Sequence, residues 1–239
     1  MNHYGHPPLG HDGIAAALGA EILSGARAPG SRMPSAPELF ARFGISRVLM
    51  REVMKTLTAK GLIASKSRVG THVLDPSHWH WFDPDVLRWR VSLGLDPQLL
   101  GHLAQMRRAV EPAGAALAAL HRSEDDLARL QVAVALMSGA RGERRSFVDA
   151  DLEFHRAVSA ASGNPLFQAF CGVVEVALGA SFAMSVPDRE ESAATVQRHK
   201  DIADAIEAGD AERAAQAMQD VIDEGIARAA RQAKEEKGQ

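Results

Sequence analysis

Apolar positions between residues 33 and 60 repeat with the period of two short helices separated by a turn. Leu39 and Phe40 give the first helix an apolar side, and Leu49, Val53 and Leu57 form an i, i+4, i+8 stripe along the second. Residues with this spacing lie on one face of a helix. The pattern predicts that the second helix, which runs to about residue 60, packs on a core through that face.

Small polar residues mark where these two helices begin. Ser35 is followed three residues later by Glu38, which is the spacing of a capping box. Gly44 falls in the turn between the helices, and Ser46 stands where its hydroxyl can cap the second helix. The sequence therefore predicts two capped helices joined by a tight turn.

Basic residues form another stripe on the second helix. Arg47, Arg51 and Lys55 repeat every four residues, and Glu52 is the only acidic residue among them. A row of cations on a helix can read guanine edges and hold phosphates in the major groove of DNA. The alternative is a solvated charged face without a partner. The order of caps, turn and cations favours DNA recognition.

A small hairpin is predicted directly after the second helix. Residues 62–65 and 71–74 read as two short strands around a turn that contains Lys66, Arg68 and Gly70. We expect Lys66 and Arg68 to contact phosphates or the minor groove. The candidate DNA-binding residues are Ser46, Arg47, Arg51, Lys55, Lys66, Arg68 and Gly70.

Aromatic residues concentrate in the segment 76–96, which we interpret as a linker that ends in a helix. Trp79, Trp81 and Phe82 are crowded together in a chain with 5% aromatic content. The cluster predicts a hydrophobic contact between domains. Stacking of Trp79 and Trp81 on nucleic-acid bases is the alternative, but proteins that bind duplex DNA seldom expose unpaired bases.

The rest of the chain has helical periodicity throughout and no convincing strand alternation. Pro and Gly residues separate the helical segments. The predicted helices cover residues 84–93, 97–121, 124–138, 145–162, 165–184, 192–208 and 211–233. This pattern indicates an all-α bundle over residues 97–233, followed by a short tail at 234–239.

Charge is distributed unevenly along the 239 residues. Residues 1–75 hold nine Lys and Arg and five Asp and Glu, for a net charge of +4, while the remainder holds 18 and 25, for −7. The basic end is the end with the candidate DNA-binding residues. The hydrophobic content of 46% is enough for two modest cores.

Several classes of protein are disfavoured by composition. The single cysteine excludes an internal disulfide. No apolar run approaches the ~20 residues that span a bilayer, and no secretory signal is recognisable, so we expect a cytoplasmic protein without a membrane partner. Residues 1–11 resemble a disordered leader, although His3, His6 and His11 leave a weak metal-binding tract as an alternative.

Three potential metal ligands occur in the helical region. Asp151 and His155 are four residues apart and share a helix face, and His199 lies on a later helix. Such a set can hold a divalent metal such as zinc with open positions for water or ligand. By spacing alone, an Asp and His pair of this kind is more often structural. Arg107 and Glu111, also four apart, would ordinarily form a helix ion pair.

The N-terminal motifs resemble the DNA-binding domain of the GntR family of bacterial transcription regulators. Residues 29–35, 44–47 and 70–73 carry the resemblance, which covers 12–75. It implies a winged helix-turn-helix with a small β-hairpin wing that binds double-stranded operator DNA. The family often places an Arg in the first turn after Ser35, where Ala36 and Pro37 stand here. We therefore expect Arg47, Arg51 and the wing to dominate DNA binding.

The C-terminal motifs resemble the FCD ligand-binding domain found in regulators of the same family. Residues 107–112, 151–155 and 199–210 carry this second resemblance. In that family an Asp and three His hold a metal that helps to bind a carboxylate effector. Asp151, His155 and His199 match three of the ligands, and Val221 stands at the position of the fourth. Since Val cannot coordinate a metal, we expect metal to be held weakly or not at all.

The linker motif resembles that of regulators of hexonate catabolism within this family. This resemblance implies that the effector is a sugar acid. Arg107 would then pair with the carboxylate of the effector. Asp151, His155 and His199 could hydrogen-bond its hydroxyls instead of holding a metal.

Together these patterns predict a mainly α protein with a winged helix-turn-helix followed by an FCD helical bundle. We expect a homodimeric repressor that its sugar-acid effector releases from DNA. A metal-dependent sensor of another small carboxylate is one alternative. A metal-dependent hydrolase fused to a DNA-binding domain is another, but no nucleophile stands out and Glu153 should point away from Asp151. The sequence therefore favours a regulator that is not an enzyme.

Overall fold

The computed structural model describes residues 10–66, 70–94, 97–140, 143–184 and 189–237. The chain folds into two compact units that divide after Gly94. The elements of the first unit are α1 (His11–Leu23), α2 (Ala36–Phe43), α3 (Arg47–Ala59), β1 (Ile63–Lys66), β2 (Gly70–Val73) and α4 (Pro84–Ser92). Helix α1 starts within the predicted leader, at its last residue.

The caps predicted for the helix-turn-helix are confirmed. The carboxylate of Glu38 accepts a hydrogen bond from the Ser35 amide at 2.7 Å. Gly44 ends α2 in the left-handed conformation with φ of 64°, which glycine adopts at little cost. The Ser46 hydroxyl accepts from the Leu49 amide at 3.2 Å and so caps α3. These contacts set where each helix starts and how the chain turns between α2 and α3.

The predicted hairpin is also present. Strands β1 and β2 pair antiparallel, with Ile63 opposite Val73 and Lys66 opposite Gly70. Ile63 and Val73 are buried, so the hairpin is anchored on the core at one end. Arg68 lies outside the described residues.

The core of the first unit collects apolar residues from its helices and from the hairpin. Helix α1, which the sequence interpretation did not identify, contributes one face with i, i+4 spacing. On α3, Val53 and Leu57 are buried as predicted, and Leu49 is partly buried against them. The most deeply buried members of this core are Ile14, Leu18, Ile22, Leu39, Val53, Leu57, Leu62, Ile63 and Val86.

Residues 76–94 of the segment interpreted as a linker belong to the first unit. Trp79 is only 8% exposed within the core of that unit, and its Nε1 donates to the Leu74 carbonyl at 3.0 Å. Helix α4 packs closely on α1, since a Cβ built on Gly19 would lie 2.3 Å from the ring of Trp89. The structure thus places Trp79 in the core of the first unit, where it cannot stack on bases.

A buried lysine joins α3 to the start of α4. Nζ of Lys60 lies 2.7 Å from Oδ1 of Asp83 and 2.7 Å from Oδ2 of Asp85. The Asp83 side chain also caps α4 by accepting from the amide of Val86 at 3.2 Å. Because Lys60 directly follows α3, these ion pairs fix the end of that helix to the segment that follows the hairpin.

The described secondary-structure elements of the second unit are all helices. Its elements are α5 (Pro97–His121), α6 (Glu124–Gly139), α7 (Arg144–Ala161), α8 (Pro165–Met184), α9 (Arg189–Ala208) and α10 (Ala211–Lys237). The bounds of α5 and α8 agree with the prediction at both ends. Helix α10 continues through residue 237, into the segment that was predicted to be a tail.

Apolar side chains from α5 to α10 meet in one core. Its most deeply buried large members are Leu130, Met137, Phe154, Ile202, Ile206, Met218 and Ile222. Alanines at 115, 118 and 119 let neighbouring helices approach α5 closely. None of the described helices combines the length and the apolar character needed to cross a membrane.

Candidate functional site

The predicted cations of the recognition helix lie on the surface of α3. Arg47, Arg51 and Lys55 are exposed, on the side away from the buried stripe. Glu52 lies 3.7 Å from Nε of Arg51 and 3.1 Å from Nζ of Lys55. Exposed ion pairs of this kind are weak because solvent screens them, so they do not prevent either cation from binding DNA.

The first turn of α3 and the wing extend this surface. The Ser46 side chain caps the N-terminus of α3, where the helix dipole favours a phosphate. Lys66 is exposed at the end of β1, and Gly70 opens β2 with a φ of 98°. The described DNA-binding candidates therefore lie on α3 and the wing, the elements that enter the grooves in winged helix-turn-helix proteins.

A cluster of buried polar groups occupies the interior of the second unit. Asp151 and His155 come from α7, His199 comes from α9, and each is at most 2% exposed. One ligand atom from each residue lies within 4.8 Å of the other two. Nε2 of His199 is 2.9 Å from Oδ1 of Asp151, and Nε2 of His155 is 4.0 Å from Oδ2 of Asp151. The predicted trio therefore converges.

Each imidazole is oriented by a partner at its other nitrogen. Nδ1 of His199 is hydrogen-bonded to the Thr195 carbonyl oxygen at 2.8 Å, and Nδ1 of His155 lies 2.5 Å from Oε2 of Glu111 in a close contact that is not aligned as a hydrogen bond. These acceptors favour the tautomers with a proton on Nδ1. In their neutral forms both imidazoles then turn the Nε2 lone pair towards Asp151, where a shared cation would bind.

The inward-facing atoms of the trio lack aligned hydrogen bonds. Oδ2 of Asp151, Nε2 of His155 and Nε2 of His199 are buried without such a partner among the residues that the structure describes. Buried polar groups are ordinarily satisfied, and unsatisfied ones require an explanation such as an ion or water. The three atoms are the donor types that zinc prefers. The residues present therefore fit a divalent metal.

Glu111 connects the trio to Arg107. Oε1 of Glu111 lies 2.5 Å from Nε of Arg107, and both side chains are buried. Burial opposes ionisation of Glu111, but the charges of Arg107 and His155 outweigh it and lower its pKa to about 2. Arg107 lines the site as predicted, and in this structure it forms the helix ion pair that the sequence offered as the alternative.

Asp151 is also held in its charged form. Burial tends to raise the pKa of Asp151, but the facing His199 and His155 outweigh that effect and lower it. A carboxylate at this point can bind a metal or accept hydrogen bonds from hydroxyl groups.

The trio lines a small internal cavity of about 30 Å³. Val221 faces the cavity at the position where the fourth ligand was expected. A space of this size holds a cation with a water or two, whereas cavities that enclose small organic ligands are roughly 300–1,000 Å³. Polar lining residues that the sequence interpretation missed are Thr195, Arg198, Glu224 and Arg228.

Comparison with known proteins gives the family. Residues 11–73 match the family described as bacterial regulatory proteins of the gntR family, and residues 102–224 match the FCD domain. The chain belongs to the GntR family. It is a DNA-binding transcriptional regulator with an FCD effector-binding domain, and this family consists of regulators and not of enzymes. The hydrolase alternative is therefore wrong.

Two curated relatives resemble this GntR regulator over most of its length. It is 34% identical over 212 residues to the galactonate operon transcriptional repressor of Escherichia coli K12, covering 88% of this chain and 93% of the relative. It is 30% identical over 199 residues to the transcriptional repressor NanR of Salmonella newport, covering 80% and 74%.

A solved structure shares the fold. Lar, which controls expression of the agr system in Listeria monocytogenes, superposes with a TM-score of 0.62. The two chains are 20% identical, and the match covers 96% of this chain and 99% of Lar. This likeness concerns the fold alone.

Proposed function

We propose that this GntR regulator is a dimeric repressor of a sugar-acid catabolic operon and that the sugar acid releases it from DNA. The observation that carries the proposal is the buried cavity bounded by Arg107, Asp151, His155 and His199. Its lining combines three cationic side chains, those of Arg107, Arg198 and Arg228, with several hydrogen-bonding groups, as a polyhydroxylated carboxylate requires. The similarity to a galactonate operon repressor supports an aldonate as the effector.

Recognition would divide between the two ends of the effector. Arg107 would exchange part of its contact with Glu111 for the effector carboxylate, which it can bind in a bidentate fashion. The unpartnered Nε2 atoms of His155 and His199 and the carboxylate of Asp151 would accept hydrogen bonds from hydroxyl groups. Each of these atoms is buried, so a ligand that lacks the matching hydroxyl would leave it unsatisfied.

Because the cavity is small, the effector can bind only if the bundle changes conformation. At about 30 Å³ it is too small for a six-carbon acid, so the surrounding side chains or helices must move when the effector enters. A ligand shifts a conformational equilibrium only by its difference in affinity between the two states. An effector that binds only the opened bundle would therefore drive the conformational change that lowers DNA affinity.

A second candidate is a metal-dependent sensor of a different small carboxylate. The unpartnered ligand atoms of the trio favour this alternative. Asp151, His155 and His199 would hold the ion, which would supply a positive centre for the effector carboxylate. Val221 leaves the fourth protein position without a ligand, and we therefore expect the ion to be weakly held.

Thermal denaturation with a panel of aldonates and uronates tests the effector class. A ligand that binds only the folded state stabilises it by about 2.7 kcal/mol at a concentration of 100 Kd. We expect one sugar acid to raise the melting temperature and to release the protein from operator DNA at similar concentrations. Stabilisation by simple dicarboxylates, with none by any sugar acid, would contradict the aldonate proposal.

Elemental analysis and chelation separate the two candidates. We expect less than stoichiometric metal in the purified protein and an effector affinity that chelation leaves nearly unchanged. In the same titration Arg107→Met should weaken effector binding strongly, because the carboxylate loses its partner. Stoichiometric metal together with loss of effector binding after chelation would establish the metal-dependent sensor instead.

The proposal of a dimer rests on how few base pairs one recognition helix can contact. One recognition helix reads only a few base pairs, and a two-fold dimer doubles the site. We expect in vitro selection to yield a pseudo-palindromic operator and light scattering to give twice the mass of one chain. A monomer bound to an asymmetric site would contradict this part of the proposal.

A further inference from the structure

A basic residue outside the predicted DNA-binding set lies beside the wing. The segment around Arg32 pairs with β2, since the Met33 amide donates to the Thr71 carbonyl at 2.8 Å. The Val73 amide donates in turn to the Ser31 carbonyl at 2.9 Å. These bonds flank an isolated antiparallel bridge between Arg32 and His72 and hold Arg32 next to β2.

The guanidinium of Arg32 lies over the backbone of Gly70. A Cβ built on Gly70 would lie 3.1 Å from Nε of Arg32 and 3.3 Å from Nη2. Lys66 pairs with Gly70 from the opposite strand. Across this end of the wing, the order is therefore Arg32, Gly70 and Lys66, with a cation on each side of a residue that has no side chain.

Arg32 is available for a ligand, whereas two nearby arginines are not. Arg27 and Arg42 both form ion pairs with Glu21. Arg32 is exposed and makes no ion pair or side-chain hydrogen bond within the part of the chain that the structure describes. Glu38, the acidic group on the same cleft, already accepts from the amide and hydroxyl of Ser35.

The first turn of α2 provides no cation for the DNA backbone, so a neighbouring cation has to make that contact. The first helix of a helix-turn-helix crosses the DNA backbone. Here its first turn consists of Ala36, Pro37 and Glu38, so it offers no positive charge to a phosphate. Arg32 precedes this turn and lines an open cleft of about 590 Å³ that includes Ser35 and Glu38. The cleft leaves room for a phosphate group to approach.

We infer that Arg32 binds a phosphate of the operator backbone beside the wing, across Gly70 from Lys66. The planar guanidinium suits a bidentate contact with two phosphate oxygens. Contacts to phosphate position a protein on DNA without reading its sequence. Arg32 therefore contributes affinity and register, and base recognition stays with α3.

The salt dependence of DNA binding tests this inference. The probes are a duplex selected in vitro for binding to the wild-type protein and a duplex of random sequence. Arg32→Ala should weaken binding to both by the same factor, and the slope of log K against log[salt] should become shallower by about 0.9 for each bound chain. Arg129→Ala, which removes an exposed charge from α6, is the matched control and should leave the slope unchanged.

Two further variants separate the phosphate contact from other roles. Arg32→Lys keeps the charge and should keep the slope, with a partial loss of affinity because the bidentate geometry is gone. If Arg32→Ala lowers the melting temperature, Arg32→Gln replaces it in the test, because Gln keeps most of the side-chain stem. Arg32→Gln should show the same shallower slope. An unchanged slope in a folded Arg32→Gln protein would overturn the inference. So would a changed base preference in repeated selection, because Arg32 would then read bases.

Discussion

Glu111 holds His155 through a contact of 2.5 Å between Oε2 and Nδ1. Its other carboxylate oxygen accepts from Nε of Arg107, also at 2.5 Å. One carboxylate on α5 thus orients an imidazole of α7 and fixes the position of a buried guanidinium. The contact leaves Nε2 of His155 directed at Asp151, so Glu111 is a positioning residue for the trio.

Glu111→Gln should weaken binding of added Zn²⁺ by about 10–100-fold. The amide is nearly isosteric, but a neutral partner makes His155 a poorer ligand and orients it less firmly. Competition with a chromophoric chelator measures the change. The matched control is Glu153→Gln, an exposed carboxylate on α7 that pairs with Arg156. Equal Zn²⁺ affinity in wild type and Glu111→Gln would show that Glu111 does not orient the site.

Arg51→Ala should weaken operator binding by about 1–3 kcal/mol and relax the base preference at one position of each half-site. Arg51 is exposed on α3, so its removal should not change the melting temperature. Mobility shifts at fixed salt measure affinity, and repeated selection measures specificity. Arg88→Ala on α4 also removes an exposed charge and serves as the control. Wild-type affinity for Arg51→Ala would contradict the assignment of α3 as the recognition helix.

Asp85→Asn should reduce the loss of folding stability that occurs when the pH falls into the acidic range. The Lys60 ammonium lowers the pKa of Asp85 below its usual value, so the folded state binds fewer protons there than the unfolded state. That stability is present above about pH 4 and is lost as pH falls through the folded pKa. Urea melts between pH 7 and pH 3 should show a smaller loss for the variant. Parallel curves for the two proteins would show that the Lys60 contact does not stabilise the charged form.

The helix bounds could be predicted where local sequence signals coincide with the apolar period. Helices α5 and α8 begin at Pro97 and Pro165, since proline is favoured in a first turn, and both ends were located correctly. Helix α1 was not identified, although Ile14, Leu18 and Ile22 have helical spacing. Its N-cap is Gly10, which has no side chain to cap the helix, so no capping residue marks where α1 begins.

The site could be predicted only as far as spacing along one helix allows. Asp151 and His155 share a face because they are four residues apart. His199 is a candidate from its residue type alone, and only the family resemblance indicates that it joins the other two. The role of Glu111 depends on how α5 approaches α7, which no local pattern encodes. The same is true of Trp79, whose place in the core depends on the fold of the segment after β2. Contacts between elements far apart in the sequence determine both the role of Glu111 and the burial of Trp79.

Val221→His should supply the ligand that the trio lacks. Val221 faces the cavity shared by Asp151, His155 and His199, so an imidazole there can complete a four-coordinate site. We expect Zn²⁺ to bind at least about tenfold more tightly, since even partners outside the coordination sphere change metal affinity by 10–100-fold. We also expect retention of the ion through dialysis against a weak chelator.

Val221→Leu is the matched control for this last change, because it adds volume at the same position without a coordinating atom. Its Zn²⁺ affinity should stay at the wild-type level, while both variants lose affinity for the sugar acid because the side chain narrows the cavity. If Val221→His folds normally but gains no Zn²⁺ affinity over Val221→Leu, residue 221 does not point at the trio. The weak retention expected of the wild-type protein would then need a cause other than the missing fourth ligand.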